Sequence, residues 1–231
     1  MSNNEFFDTY DDGFNEDKIN FLGKNFLQFF KGKKGKFLDV GPGHGEVLIL
    51  WDRLGYEDIS SVDISRSVHS YITKIGYKCD LVSNTADYLE NKKNTFSCIV
   101  LNDIIEHIEK NELIRFIKAV KESLTIGGVV IIKVPNAQSP HFSLGRYVDL
   151  THTQSFTELS LTQLMKLSGF DKFKFYAEKT CFNKKNNLLK QFIAIYLITP
   201  LYFWWVRNIR AATAHDNPKI LTQNIIVVSE K

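Results

Sequence analysis

Three glycines within five residues, Gly41, Gly43 and Gly45, separate a short apolar run, Phe37-Leu38-Asp39-Val40, from a helix-like pattern that begins at Glu46. A residue without a Cβ lets the backbone take up positive φ and lets a ligand lie against the main chain. The N–H groups at the start of the following helix favour an anionic group. Asp63 lies near the end of the next apolar run, Ile59 to Ile64, 22 positions after Gly41. A nucleotide-binding sheet presents an acidic side chain to a ribose at about that distance. Glycine turn and strand-end carboxylate together read as one adenosine-type site. A second concentration of chemistry runs from Asn136 to His152, where Arg146, Tyr147, Asp149 and His152 form the only dense cluster of Arg, Tyr, Asp and His in the chain. Such residue types bind anions and move protons. A stretch this long without an obvious element is usually functional.

Glycine spacing separates two cofactor classes. A dinucleotide fingerprint runs Gly-x-Gly-x-x-Gly, but the sixth position from Gly41 is Glu46, which would set a carboxylate beside a pyrophosphate. The spacing here is Gly-x-Gly-x-Gly. Preceded by Leu38-Asp39-Val40, it resembles motif I of the class I S-adenosylmethionine (SAM) dependent methyltransferases, in which the glycine loop faces the amino-acid end of SAM. This resemblance implies SAM as cofactor, held by Asp39, Gly41, Gly43, Gly45, Asp63 and Ile64, with Asp63 at the ribose. Asn84-Thr85-Ala86-Asp87-Tyr88-Leu89 looks like the family loop that holds the adenine. Asn84 stands where an acidic residue commonly meets the exocyclic amine, an amide oxygen being able to accept the same hydrogen bond; Asp87 is the alternative, and Thr85 adjoins them. Asn102-Asp103-Ile104-Ile105-Glu106-His107-Ile108 resembles motif IV, which puts Asn102 against the cofactor and His107 near the acceptor, with Glu106 in a supporting contact.

The segment Arg146-Tyr147-x-Asp149-x-Thr151-His152, followed by Phe156-Thr157 and Gly169-Phe170, resembles a bacterial subgroup of these enzymes, several of which act on surface glycans. The resemblance covers about Phe6 to Phe175 and Leu221 to Lys231. The reaction it implies is in-line displacement of a methyl group from the sulfonium, with alignment supplying much of the catalysis. A hydroxyl acceptor must also lose a proton, and an imidazole, with a reference pKa of about 6.5, suits that task. His152 is the candidate base and Asp149 its candidate orienter. Arg146 could hold an anionic group bidentately, and Asn136, Tyr147 and His107 are the remaining acceptor-site candidates. Pinning of the loop is the alternative role for Asp149 and His152.

The elements that position these residues follow from periodicity. Apolar residues at mixed three- and four-residue spacing predict a helix over Glu16 to Phe30. Phe6, Phe7, Tyr10 and Phe14 lie just upstream in a segment that, in the resembled family, often closes over the cofactor, ordinary packing on the sheet edge being the alternative. Strands are predicted at Lys36 to Val40, Ile59 to Ile64, Tyr77 to Ser83, Phe96 to Leu101 and Gly128 to Val134. Helices are predicted after Gly45, at Ser65 to Ile75, at Glu112 to Leu124 and at Glu158 to Ser168, with a sixth strand near Lys172 to Lys179 and the last at Ile220 to Ser229. Strands alternating with helices give an α/β, Rossmann-like, doubly wound sheet, and the family implies seven mostly parallel strands with the last antiparallel. One domain spans 1–231, with an N-terminal helical cap at 1–35 and an apolar insertion at 181–219. Within the insertion, 188–206 carries Phe192, Tyr196, Tyr202, Trp204 and Trp205 between basic flanks. Broken by Lys190, Gln191 and Pro200, it falls short of the roughly 20 apolar residues of a span, and reads as a lid, a dimer surface or a membrane-surface helix.

At 231 residues and 44% hydrophobic composition the chain can bury a full core, and its net charge of +3 gives no argument for nucleic acid. Cys79, Cys98 and Cys181 are scattered, without a Cys-x-x-Cys pair, so neither a disulfide framework nor a metal site is expected. Met1 to Asp17 is polar and acidic rather than signal-like; the expected location is cytoplasmic, with peripheral contact with the inner face of the membrane as an option. The reading is thus a SAM-dependent methyltransferase, O-methylating a carbohydrate or phosphorylated precursor of surface polysaccharide. Alternatives are a quinone-like or other lipophilic acceptor, a SAM-binding module without turnover, and, disfavoured by Glu46, an NAD-dependent oxidoreductase. A homodimer remains open.

Overall fold

A computed structural model describes residues 13–139, 142–179, 188–210 and 219–231. Phe6, Phe7, Tyr10 and Cys181 lie outside them. Seven strands form one sheet in the order β3-β2-β1-β4-β5-β7-β6. They are β1 (Lys36–Val40), β2 (Ile59–Asp63), β3 (Cys79–Leu81), β4 (Phe96–Asn102), β5 (Leu124–Pro135), β6 (Phe173–Ala177) and β7 (Asn224–Glu230). The first five pair in parallel, whereas β7 lies antiparallel to both β5 and β6. The expected mostly parallel sheet with an antiparallel last strand is therefore observed. It follows that β6 runs with β1 to β5, so the chain leaves it at the sheet edge that carries the glycine turn.

Burial on both faces explains the nearly continuous apolar runs of the central strands, such as Val129 to Ile132 in β5. On one face lie α1 (Glu16–Phe30), α2 (Glu46–Arg53) and α3 (Arg66–Lys74). Phe26 and Phe30 of α1 are fully buried with Phe37 and Trp51, and the Phe37 and Trp51 rings meet edge-on at 5.2 Å. Each such side chain contributes about 1.5–3 kcal/mol by burial. The other face carries α4 (Thr85–Glu90), α5 (Leu113–Ser123) and α7 (Glu158–Leu167), with Leu89, Ile117, Val120, Leu161 and Met165 buried. Ser65 caps α3, its Oγ accepting from Val68 N. Thr157 and Ser160 cap α7 reciprocally.

Local departures from expectation have physical reasons. The third strand is only Cys79–Leu81 because it is a sheet edge with one partner. The stretch Asn136 to His152 contains a short helix, α6 (Phe142–Tyr147), followed by bends. In the insertion, α8 (Leu188–Ile193), a π-turn at Ala194–Ile198 and α9 (Thr199–Arg210) run consecutively. Pro200 does not break the run because it sits in the first turn of α9, where its missing N–H is not needed. Phe192, Tyr196, Leu201, Trp204 and Trp205 of this run are all more than half exposed. Among the described residues no helix is long and apolar enough to cross a membrane.

Candidate active site

The glycine turn connects β1 to α2 with Gly41, Gly43 and Gly45 all at positive φ, +67°, +53° and +81°. A Cβ at Gly41 would overlap Cδ1 of Ile104, in the loop after β4, and one at Gly45 would come within 3.0 Å of Cδ1 of Ile72. The turn is thus pressed against the loop that carries Glu106 and His107. Gly45 offers no side chain to cap α2, which keeps the helix N-terminus available to a ligand.

Below the turn, Asp39 is 1% exposed and its Oδ2 finds no hydrogen-bond partner among the described residues. Burial raises its pKa well above the usual carboxylate range, with the nearby Glu46 and Asp63 adding to the shift. Glu46 is also buried, and its Oε1 lies 3.7 Å from Lys18 Nζ, beyond hydrogen-bond reach. Two buried carboxyl groups beside the turn make a floor suited to a cationic group and hostile to a pyrophosphate. Asp63 closes β2 with one oxygen accepting from Ser65 N at 2.7 Å, and burial raises its pKa as well. Ile64 beside it is 43% exposed. Asn102 ends β4, and its buried Oδ1 lacks a partner among the described residues.

The adenine candidates come out differently. Asn84 Oδ1 accepts from Asp87 N at 3.1 Å and so caps α4, which uses one of its two lone pairs. Asp87 pairs with Arg115, which also bridges to Glu90 and Glu112. Thr85 begins α4 behind that cap.

Across the sheet edge, β4 ends in Asn102 and Asp103 follows it. Asp103, at φ +58°, is one of two non-glycine residues with positive φ among those described, and it pairs with the buried Lys133 of β5. Neither role was visible in the sequence. The chain then makes a 3-10 turn at Ile105–His107. The segment after α6 is stapled onto it: Thr153 N and Oγ1 donate to Glu106 O at 2.9 and 3.0 Å, and Gln154 Nε2 donates to Ile108 O at 2.9 Å. These staples bring the His107 and His152 rings to a centroid distance of 4.7 Å. Glu106 completes the group, fully buried, with neither carboxyl oxygen hydrogen-bonded among the described residues. Burial above all, with Asp103 next, holds its pKa well above the carboxylate range.

Hydrogen bonds set the tautomers. His152 Nδ1 lies 2.9 Å from Gly145 O, and a carbonyl can only accept, so Nδ1 carries the proton and Nε2 the lone pair. Thr151 Oγ1 donates to Asp149 Oδ1 at 2.7 Å and must therefore accept from His107 Nδ1 at 2.8 Å. Asp149 lies 3.8 Å from His152 Nε2, on the wrong nitrogen to orient that ring. The expected Asp149–His152 orienting pair is corrected accordingly: Gly145 orients His152, and Asp149 orients His107 through Thr151. Burial and the neighbouring His152 lower the pKa of His107.

Asn136, expected at the acceptor, is a structural pin. Its Nδ2 donates to Ile220 O and Thr222 O, both at 3.0 Å, while its Oδ1 accepts from Gln138 N. Arg146 stacks on Tyr147 at 5.3 Å and donates to Thr153 O, and Tyr147 is 72% exposed. Arg146 and Tyr147 thus flank the cluster on its solvent side. A depression of about 330 Å³ at Asp52, Tyr56, Tyr77 and Lys78 adjoins the start of β2, away from this chemistry.

A family model described as a methyltransferase domain matches residues 7–174. No curated protein matches the chain. Among solved structures, a SAM-dependent methyltransferase from Archaeoglobus fulgidus superposes with a TM-score of 0.70 at 18% identity, covering 94% of each chain. Phosphoethanolamine N-methyltransferase 2 of Haemonchus contortus, in complex with SAM, gives a TM-score of 0.61 at 18% identity, with all of this chain matching 60% of that one. The Burkholderia thailandensis 1,6-didemethyltoxoflavin N1-methyltransferase, bound to its acceptor and S-adenosylhomocysteine, gives 0.54 at 13%, covering 94% of this chain and 77% of that one. At these identities the likeness is one of fold.

Proposed function

The chain belongs to the methyltransferase-domain family, and from that premise we propose that it transfers the methyl group of SAM to an oxygen of a small acceptor, a carbohydrate or phosphorylated precursor of surface polysaccharide. One observation carries the cofactor half: three left-handed glycines at alternate positions over the buried Asp39, whose Oδ2 has no partner among the described residues. The amino-acid end of SAM brings an ammonium and a sulfonium to that floor, and the Asp63 carboxylate accepts from the ribose hydroxyls. In the transfer, the acceptor oxygen forms a bond to the methyl carbon. The carbon–sulfur bond breaks with its pair left on sulfur, giving S-adenosylhomocysteine. The acceptor's proton goes to the Glu106–His107–His152 cluster, where His152 Nε2 is the basic nitrogen, and Arg146 holds an anionic part of the acceptor. The exposed aromatic face of 188–210 supports a peripheral contact with a membrane or a second copy, which vesicle sedimentation separates from self-association.

Calorimetric titration tests this reading. SAM and S-adenosylhomocysteine bind while NAD does not, and Asp63→Ala weakens SAM by on the order of 1.5–3 kcal/mol through loss of charge-assisted hydrogen bonds. Tight NAD binding without SAM binding would overturn it. His152→Ala leaves SAM affinity near that of the wild type and lowers turnover by about 10² to 10⁴.

A further inference from the structure

We propose that Glu106, His107 and His152 form a binding site for one divalent transition-metal cation, on the acceptor side of the cofactor. Each residue offers a ligand atom, and the three atoms lie within 4.8 Å of one another. Glu106 is fully buried with both carboxyl oxygens lacking partners among the described residues. Leaving such a group bare is costly unless something positive meets it.

The surroundings of the two imidazoles point the same way. A metal-bound histidine ordinarily donates its other ring N–H to a carbonyl or carboxylate, which fixes the ring and raises its basicity. His152 Nδ1 donates to Gly145 O, and His107 Nδ1 donates to Thr151 Oγ1, itself anchored on Asp149. Nε2 is then the coordinating nitrogen in each ring. Ligands of one tetrahedral ion at 2.0–2.2 Å sit about 3.3 Å apart, so the three side chains must draw together to hold one.

Two imidazoles and one carboxylate suit zinc, iron, cobalt or manganese rather than calcium or magnesium, which prefer all-oxygen sets. Three protein ligands leave a position open for an acceptor oxygen. A hydroxyl bound there has its pKa lowered by the ion and releases its proton to solvent. The ion then takes over the work assigned above to His152. Only that use rests on the methyl-transfer reading; ion binding stands apart from it.

The experiment is therefore run without acceptor. The full chain is stripped with chelator and titrated with Co²⁺, followed by visible absorption of the bound ion and by calorimetry, with Zn²⁺ as competitor. One ion per chain is expected, at micromolar affinity or better, together with a rise in melting temperature on adding Zn²⁺. Glu106→Gln, which keeps size and burial, and His152→Ala should each weaken Co²⁺ at least about 100-fold with an unchanged circular-dichroism spectrum. Where a variant fails to fold, the wild-type melting shift and cobalt spectrum decide. Wild-type protein that shows neither, or Co²⁺ affinity untouched by Glu106→Gln, overturns the site, and SAM titration of the same sample shows whether the methyl-transfer reading survives.

Discussion

The glycine turn takes its shape from the backbone of five consecutive residues, whereas the imidazole cluster takes its shape from side chains on segments 47 positions apart, joined where Thr153 meets Glu106. The turn has no side chain to adjust, so a substitution there moves the chain itself. The cluster hangs on a few hydrogen bonds, so a single side chain can change its chemistry while the fold and the cofactor half stay as they are. Cofactor binding and acceptor activation should therefore be separable by mutation.

The largest effect is expected where the backbone is the device. Gly41→Val requires a β-branched residue at φ +67° and displaces Ile104. The left-handed conformation alone costs about 1–2 kcal/mol. Displacing Ile104 also disturbs the loop leading to His107. Calorimetry should show SAM affinity reduced at least about 100-fold, and thermal melting should show a less stable fold. Retention of wild-type SAM affinity would break the comparison, because the turn would then be adjustable after all.

Legibility in the sequence follows the same division. Gly-x-Gly-x-Gly after an apolar run announces its own conformation, and β1 to β5 with the helices after β1, β2 and β4 were readable from local periodicity, whereas α4, only six residues long, reads as a loop. The hydrogen bonds of Asn84 and Asn136 were not legible, because the sequence gives the residue type but not its partners. Asn84 is used by the helix it starts, and Asn136 by the Ile220–Thr222 backbone 84 to 86 positions away. His107 and His152 were each legible as chemistry-bearing residues; their mutual contact was not, since it depends on long-range staples at Thr153 and Gln154. The buried Lys133 and its pairing with Asp103 left no trace in the pattern, because a lysine inside a strand reads as a solvent-facing residue.

An intermediate effect is expected from Thr151→Val, which keeps the side-chain shape and removes the hydroxyl between Asp149 and His107. Loss of an orienting partner of this kind typically costs about 10- to 100-fold. Turnover with a confirmed acceptor should fall by that factor while SAM affinity and melting temperature change little. Thr151→Ser, which restores the hydroxyl, should recover most of it. If valine and serine behave alike, the relay carries no function and the cluster is held by the Thr153 staples alone.

The smallest effect, and of opposite sign, is expected at Asp39. Its folded-state pKa is raised by burial, and further by Glu46 and Asp63. A group whose folded pKa lies above its unfolded value, about 3.9 for Asp, contributes stability that is fully present below the unfolded pKa and is lost as pH rises through the folded one. Unliganded wild-type protein should accordingly lose stability as pH rises from about 4 towards neutrality. Asp39→Asn carries no charge to bury, so it should be more stable than wild type near pH 7, by on the order of 1 kcal/mol, and the advantage should shrink towards pH 4. Saturating SAM should narrow the gap at pH 7 as well, since its cationic end stabilises the ionised Asp39 and has nothing equivalent to meet in the amide. Melting curves of both proteins at the two pH values, with and without SAM, give the four comparisons needed. An Asp39→Asn protein that is less stable at pH 7, or that gains as much from SAM as wild type does, would mean the carboxyl has a structural partner and is not held in reserve for the cofactor.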